Sequence, residues 1–165
     1  MQIATHVLAY NVNSSIKEVI ENISPHVDKI FIAHPKRPWA YNQESRNNKQ
    51  NPTSLDFILE CSKGHNVEIV KGDWEYDEDT RNACFELAKS QGFDWFMCQD
   101  ADEFFDDKSW DLILKELKNS KNGPSSFNTT WYNFWKSSEF VIVSDDGSIK
   151  EENASIALRC NKNIK

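Results

Sequence analysis

The sequence is poor in residues that cross-link a chain or interrupt its regular structure, and in long apolar runs that could insert into a membrane. Its 165 residues include five glycines, five prolines and four cysteines, and no apolar run is long enough to cross a membrane. The cysteines form no C-x-x-C pair and no zinc-like group with the four histidines, so we expect reduced thiols. The first residues, Met1–His6, lack the basic segment of a secretory signal. These absences predict a cytoplasmic protein without a membrane span.

An excess of basic residues is also missing. Acids outnumber bases by 26 to 19, which gives a formal net charge of −7 and argues against nucleic acid as a partner. This net negative charge would also repel a phosphate-bearing ligand, unless a metal ion or a nearby arginine offset the repulsion. A hydrophobic fraction of 39% and a length of 165 residues are typical of one folded domain. We therefore predict that residues 1–165 form a single domain.

Strand-like and helix-like segments alternate along most of the chain. Short apolar runs predict strands at Ile3–Tyr10, Val27–Ala33, Val67–Val70 and Trp95–Cys98. Helical spacing of apolar residues predicts helices at Ser14–Ile23, after Pro52, at Asp79–Ser90 and at Asp107–Leu117. This alternation predicts an α/β fold, with a mostly parallel sheet and helices on both faces. The polar stretch at residues 34–50 is long enough for a functional loop or a lid.

The character of the chain changes after Gly123-Pro124. An aromatic-rich segment spans residues 127–135, and apolar runs at 140–143 and 154–158 flank the turn signal Asp146-Gly147. We expect a short antiparallel hairpin here, with the aromatic side chains alternating into the core.

Polar residues follow each predicted strand. In open α/β sheets, ligands bind outside the carboxyl ends of the strands, where these residues would meet. This edge, which we call the ligand rim, carries Tyr10 and Asn11, His34, Asp73, and the acids that start at Asp100. We therefore expect the functional site at the ligand rim.

The densest feature of the ligand rim is the acid loop, residues 100–107, which contains Asp100, Asp102, Glu103, Asp106 and Asp107. Asp100 and Asp102 are spaced to point to the same side of an extended chain, where two carboxylates can hold one hard cation. All-oxygen ligation predicts Mn²⁺ or Mg²⁺, and the loop lacks the glycine and glutamate of a calcium-binding EF-hand. Glu103 is placed to orient the pair. Asp106 and Asp107 are explained by the cap and dipole of the next helix.

The stretch RNACFELAKSQGFDWFMCQDADEFF, residues 81–105, resembles the core of a family 2-type glycosyltransferase with the GT-A fold. In that family an Arg-Asn pair opens a helix, and a hydrophobic strand then delivers an Asp-x-Asp to the diphosphate of a sugar nucleotide. The D-x-D-E-F form is similar to the branch with an Asp-Asp-Glu-Phe signature. LAYNVNSSIKEVI, which begins at Leu8, resembles the first strand and helix of the family. The resemblance covers residues 3–105.

The resemblance implies a metal-assisted glycosyltransferase that moves a sugar from a nucleoside-diphosphate donor to a glycan or another acceptor. Residues 1–105 would form the nucleotide-binding half, and residues 106–165 a shortened or truncated acceptor half. Asp100 and Asp102 would bind the metal ion, and Arg81 would bind a phosphate or the base. The implied nucleotide contacts are Tyr10, Asn11, His34, Asp73, Arg81 and Asp100.

The chain departs from the family pattern at two places. Val12 and Asn13 follow Tyr-Asn where the family commonly has acids. His34-Pro35 follows the second strand, where the family generally has an aspartate that reads the nucleotide. No catalytic base is assigned among the downstream acids, which are Glu139, Asp145, Asp146, Glu151 and Glu152.

Two other interpretations stay open. A metal-dependent nucleotidyltransferase would share the nucleotide-binding sheet and the acidic metal site. A catalytically inactive relative would keep only the binding of a nucleotide sugar. Turnover of the donor would separate an enzyme from a binding module, and a sugar-bearing product would separate glycosyl transfer from nucleotidyl transfer.

Overall fold

The computed structural model describes residues 1–12, 15–41, 43–120, 125–133, 141–149 and 151–160. Within these ranges, each strand as far as residue 119 is followed by one helix, or by two helices after the second strand. In chain order the elements are β1 (Ile3–Leu8), α1 (Ser15–Ile23), β2 (Lys29–Pro35), α2 (Gln43–Asn48), α3 (Leu55–Cys61), β3 (Val67–Gly72), α4 (Asp77–Ser90), β4 (Trp95–Gln99), α5 (Asp107–Asn119), β5 (Ser126–Tyr132) and β6 (Glu151–Arg159).

One six-stranded sheet contains all of these strands, in the order β3-β2-β1-β4-β6-β5. β1 lies parallel between β2 and β4, and β2 lies parallel to β3. Thr5 in β1 is opposite Ile30 on one side and Met97 on the other. β1 is buried along nearly its whole length, including the polar residues Thr5 and His6. The predicted fold class, a mostly parallel sheet with a short antiparallel part, is confirmed.

Helices cover both faces of the sheet. α1, α3 and α5 pack on one face, where Ile20, Ile58 and Trp110 join the larger hydrophobic cluster. α4 packs on the other face, where Cys84 joins Phe96 in a smaller cluster. The apolar spacing predicted for α1 is confirmed, because its four apolar residues are all buried: Ile16, Val19, Ile20 and Ile23.

The C-terminal part of the sheet is antiparallel. β6 pairs with β4 on one side and with β5 on the other. The predicted turn at Asp146-Gly147 is present, and Val143 and Ile149 form a bridge across it. Residues 154–158 pair with β5 and β4 rather than across this turn. That arrangement covers the edge of β4, which a local hairpin would leave open.

The aromatic segment alternates between core and solvent as far as it is described. Phe127 and Trp131 are half-buried on β5 and pack against the larger cluster. Tyr132 is exposed. The rest of the predicted segment, residues 134–135, lies outside the described residues, as do Gly123-Pro124 and residue 140.

Side-chain caps set the first residues of two helices. Asp106 caps α5 as predicted, because its Oδ1 accepts a hydrogen bond from the backbone N of Ser109 at 2.7 Å. Pro52 precedes α3 instead of opening it. Ser54 is the cap there, and its Oγ accepts a hydrogen bond from the backbone N of Phe57 at 3.2 Å. A short helix, α2, lies within the polar stretch that was predicted as a loop or lid.

The described helices are short. None of them combines the length and the apolarity that a bilayer-spanning helix needs. All four cysteines are free thiols. Burial raises the pKa of Cys84 to about 12, so this thiol stays protonated and inert at neutral pH.

Candidate functional site

The carboxyl ends of β1 and β4 form one concave site, which we call the acid cavity. Its volume is about 270 Å³, and its lining residues are Leu8, Tyr10, Asn11, Val12, Ser15, Asp100, Ala101 and Asp102. β1 and β4 are parallel neighbours, so the residues that follow them reach the same edge of the sheet. Residues predicted from two separate stretches of the sequence therefore meet here: Tyr10, Asn11, Asp100 and Asp102.

The acid loop folds into a tight turn directly after β4. Oε2 of Glu103 accepts a hydrogen bond from the backbone N of Asp100 at 2.8 Å, and the backbone N of Glu103 donates to the carbonyl of Asp100 at 3.2 Å. Nε2 of Gln99 donates to the carbonyl of Glu103 at 2.7 Å. Glu103 therefore holds the backbone of Asp100, which is the position that an orienting residue would take.

The carboxyl group of Glu103 is partly shielded from water. Burial, together with the charges of Asp100 and Asp102, raises the pKa of Glu103 to about 7. The hydrogen bond from the Asp100 amide and the charge of Arg81 oppose this rise. Repulsion within the acid loop is partly relieved at this carboxyl, because it carries less than a full charge near neutral pH.

Arg81 on α4 supplies a compensating positive charge. Its Nη2 lies 3.5 Å from Oδ1 of Asp100, and its Nη1 lies 3.7 Å from Oδ2 of Asp77, one helical turn earlier. The Arg81 side chain is 38% exposed, so each of these ion pairs contributes about 0–1 kcal/mol to stability. Loss of the contact between Arg81 and Asp100 would therefore cost the fold little stability.

Asp100 and Asp102 both line the acid cavity. Asp102 is exposed and makes no hydrogen bond or ion pair with the rest of the described chain. Within the described ranges, no group of three or more His, Cys, Asp or Glu is arranged to hold a metal ion. A cation at Asp100 and Asp102 would thus take its other ligands from water and from the oxygens of a bound substrate. That donor set suits Mg²⁺ or Mn²⁺.

Asn51, which the sequence patterns did not single out, organises the end of β1. Its Nδ2 donates to the carbonyl oxygens of Ala9 at 2.8 Å and Pro35 at 2.9 Å. Its Oδ1 accepts hydrogen bonds from the backbone N of Thr53 at 3.0 Å and of Asn11 at 3.3 Å. Both donors and both acceptor positions of this amide are used, so Asn51 joins the ends of β1 and β2.

Asn11 adopts the conformation that this network supports. Its φ of 54° lies in the left-handed region, which asparagine tolerates better than most residues. The chain turns here, and both neighbours of Asn11, Tyr10 and Val12, line the acid cavity. An asparagine after a strand is a signal for such a turn. No local signal marks Asn51, because it lies in a stretch rich in asparagine and lysine and its partner is 40 residues away.

A second aromatic residue covers Tyr10. The ring centroid of Trp39 lies 5.3 Å from that of Tyr10, with 58° between the ring planes. Trp39 belongs to the segment after β2, and that segment is attached to the end of β3. The backbone N of Lys36 donates to the carbonyl of Gly72 at 2.7 Å. The first part of the predicted lid thus packs on the ligand rim.

The other predicted nucleotide contacts, His34 and Asp73, lie farther along the rim and do not line the acid cavity. The Asp73 carboxylate accepts hydrogen bonds from Nε and Nη2 of Arg37 at 2.9 and 2.5 Å and from Nη2 of Arg46 at 3.2 Å. The hydrogen bonds from Arg37 lower the pKa of Asp73. Nε2 of His34 donates to the carbonyl of Thr53 at 2.8 Å.

No downstream acid among the described side chains reaches the acid cavity. Oδ1 of Asp146 accepts hydrogen bonds from the backbone N and the Oγ of Ser148, at 3.0 and 2.7 Å, and so closes its own turn. The side chains of Glu151 and Glu152, and all of Glu139, lie outside the described residues. The catalytic base therefore stays unassigned.

Comparison with known proteins finds structural neighbours, which concern the fold alone. No family model matches the chain, and no curated protein matches its sequence. The crystal structure of S. aureus TarS 1–349 superposes with a TM-score of 0.53 at 10% identity, over 78% of this chain and 34% of that chain. The crystal structure of 4-diphosphocytidyl-2C-methyl-D-erythritol synthase from Anaerococcus prevotii superposes with a TM-score of 0.53 at 14% identity, over 96% of this chain and 70% of that chain. The chain thus spans 34% of TarS 1–349, and its fold is GT-A-like.

Proposed function

We propose that this protein is a transferase that binds a nucleoside-diphosphate sugar in the acid cavity and passes the sugar to an acceptor. The observation that supports the proposal is the meeting of Asp100 and Asp102 with Tyr10 and Asn11 in one cavity at the carboxyl edge of a GT-A-like sheet. Structural neighbours with this fold include a glycosyltransferase and a nucleotidyltransferase.

In this proposal, the acidic residues of the cavity would bind the metal ion, and a basic residue would contact the diphosphate. Asp100 and Asp102 would hold Mg²⁺ or Mn²⁺ through their carboxylate oxygens. Bound there, the ion would act as a Lewis acid that offsets the negative charge developing on the departing diphosphate. Arg81 offers a further positive charge, because its contact with Asp100 is long and exposed. Glu103 keeps the Asp100 backbone in place through its hydrogen bond.

The nucleoside would lie toward Tyr10. The Tyr10 ring offers a stacking face, and Trp39 forms an aromatic wall beside it. His34 and Asp73 are proposed as nucleotide contacts farther along the rim. Asp73 would contribute by fixing Arg37 and Arg46, which both bind its carboxylate.

One observation favours nucleotidyl transfer as the second candidate. The synthase structure superposes over 96% of this chain, compared with 78% for TarS. Both reactions use a nucleotide and a divalent ion, but they break different bonds. Glycosyl transfer breaks the bond between the sugar carbon and the diphosphate oxygen, and it releases a nucleoside diphosphate. Nucleotidyl transfer breaks the bond between the α-phosphorus and the bridging oxygen, and it releases pyrophosphate.

Thermal denaturation with uridine or guanosine diphosphate tests the metal-assisted site. The nucleotide should raise the melting temperature only when Mn²⁺ or Mg²⁺ is present. Asp102→Asn should abolish this rise, whereas the matched control Asp107→Asn, an exposed acid in the first turn of α5, should keep it. Equal stabilisation in chelator, or a metal-dependent rise that survives Asp102→Asn, would refute the metal role of the acid loop.

Product analysis separates the three candidate functions. Incubation with a panel of nucleotide sugars and nucleoside triphosphates, followed by mass spectrometry, reports which bond is broken. A sugar-bearing product with free nucleoside diphosphate supports glycosyl transfer, and pyrophosphate supports nucleotidyl transfer. Metal-dependent binding without either product would identify an inactive binding module.

A further inference from the structure

A second cavity lies on the ligand rim, at the ends of β2 and β3, and we call it the lysine cavity. Its volume is about 470 Å³, and its lining residues are His34, Lys36, Gln50, Asn51, Lys71 and Gly72. The lining contains two lysines and no carboxylate, although the net charge of the protein is −7. The charge of this cavity is thus opposite to that of the acid cavity.

Strand register brings the charged residues of the lysine cavity together. His34 on β2 is the direct neighbour of Lys71 on β3, and paired residues on parallel strands project from the same face. Lys36 follows β2 directly, and its backbone N donates to the carbonyl of Gly72, which is the last residue of β3. The two lysines therefore come from adjacent strand ends.

The ammonium groups of Lys36 and Lys71 have no partner in the part of the chain that the structure describes. Both residues are exposed, and neither side chain forms a hydrogen bond or ion pair with another described residue. Lys36 acts on Asp73 only through its charge. The Asp73 carboxylate already binds Arg37 and Arg46, so this one acid interacts with three bases.

The Nε2 donor of His34 is already used within the protein. Its Nε2 must carry the proton that is donated to Thr53, because a carbonyl oxygen can only accept. Lys36 and Lys71 are therefore the groups that would bind a negatively charged ligand.

We propose that the lysine cavity binds a phosphate group of a substrate directly through Lys36 and Lys71, without a metal ion. Ammonium–phosphate contacts are charge-assisted, and phosphate supplies acceptor oxygens to both lysines. A volume of about 470 Å³ leaves room for the small molecule that carries the phosphate. This site goes beyond the proposed function, in which the diphosphate is held through a metal ion in the acid cavity.

The two cavities are adjacent, which leaves two sources for the phosphate. Asn51 lines the lysine cavity, and its Oδ1 accepts a hydrogen bond from the backbone of Asn11, which lines the acid cavity. The phosphate group can therefore belong to a nucleotide that extends along the rim or to a second, phosphorylated substrate.

Titration with inorganic phosphate tests the proposal on the full chain in chelator, with sodium chloride added to keep the ionic strength constant. The ¹H–¹⁵N NMR signals of Gly72 and Asn51 should shift and saturate. Lys36→Gln and Lys71→Gln should each weaken the phosphate affinity about tenfold, because each removes one charge-assisted contact. Lys115→Gln, an exposed lysine on α5, is the matched control and should leave the affinity unchanged.

Competition then identifies the source of the phosphate. Displacement by glucose 6-phosphate supports a phosphorylated second substrate, and displacement by uridine diphosphate supports a nucleotide. Shifts that do not saturate, or an affinity that is unchanged in both lysine variants, would overturn the proposal. The titration contains no divalent ion, and Asp102→Asn should not affect it. Its outcome is therefore independent of the metal-assisted site.

Discussion

Replacing His6 with leucine should make the fold less sensitive to acid. His6 lies in β1, fully buried, and neither ring nitrogen has a hydrogen-bond partner among the described residues. Burial, and to a smaller extent the charge of Arg81, lowers the pKa of His6 from 6.5 to about 3. The folded protein therefore keeps this ring neutral in a pH range where the unfolded chain protonates it.

The sign and size of the effect follow from this difference in proton binding. Above the unfolded pKa of 6.5, neither state of His6 binds a proton and the folded state is not penalised. As the pH falls from 6.5 toward 3, the unfolded chain takes up a proton that the folded chain excludes, so stability falls. Between about pH 7 and about pH 4, His6 alone should remove roughly 3 kcal/mol from the free energy of unfolding.

Urea unfolding followed by tryptophan fluorescence measures this difference. When the pH is lowered from about 7 to about 4, the free energy of unfolding should fall by about 3 kcal/mol more in the wild-type protein than in His6→Leu. Thr5→Val, a change at the buried neighbour of His6 that removes no titratable group, should shift stability equally at both pH values. An equal acid-induced loss in the wild type and in His6→Leu would show that His6 is not kept neutral by burial.

Three further substitutions test the acid cavity and its supports. Asn51→Ala should lower the free energy of unfolding by about 2–4 kcal/mol and weaken nucleotide binding, because the turn at Asn11 loses its support; urea unfolding and nucleotide titration measure the two effects. Arg81→Lys should weaken nucleotide binding by about 1–3 kcal/mol in calorimetry, whereas the control Asp77→Asn should leave it unchanged. If Arg81→Lys binds the nucleotide as tightly as the wild type, Arg81 only forms surface ion pairs. Asp106→Ala should cost about 1 kcal/mol of stability through the lost cap of α5 while binding persists.

The spacing of apolar residues was enough to predict helices that bury one face against the sheet. The apolar spacing of α1 placed Ile16, Val19, Ile20 and Ile23 correctly, because a single helical face reaches the core. The position of the acid cavity was also predictable. Parallel strands end at a common edge, so the residues after β1 and β4 had to approach each other, as Tyr10 and Asp100 do.

Contacts between distant loops were not predictable from spacing. Asp73 and Arg37 are 36 residues apart, and each is an ordinary surface residue in its local sequence. The role of Asn51 likewise depends on two strand ends that only the folded sheet brings together. The position of β6 between β4 and β5 has the same cause, since an apolar run carries no signal for its neighbour.

Because β6 pairs with β4, the strand that leads into the acid loop gains its second neighbour only after α5 and β5 have been synthesised. Until then β1 pairs with one edge of β4, while Trp95, Phe96 and Met97 leave the other edge open. An open apolar edge is a template for pairing with another chain, so this stage of synthesis is exposed to aggregation. A fragment that ends at residue 105 would keep that edge permanently, and we expect it to aggregate in the cell.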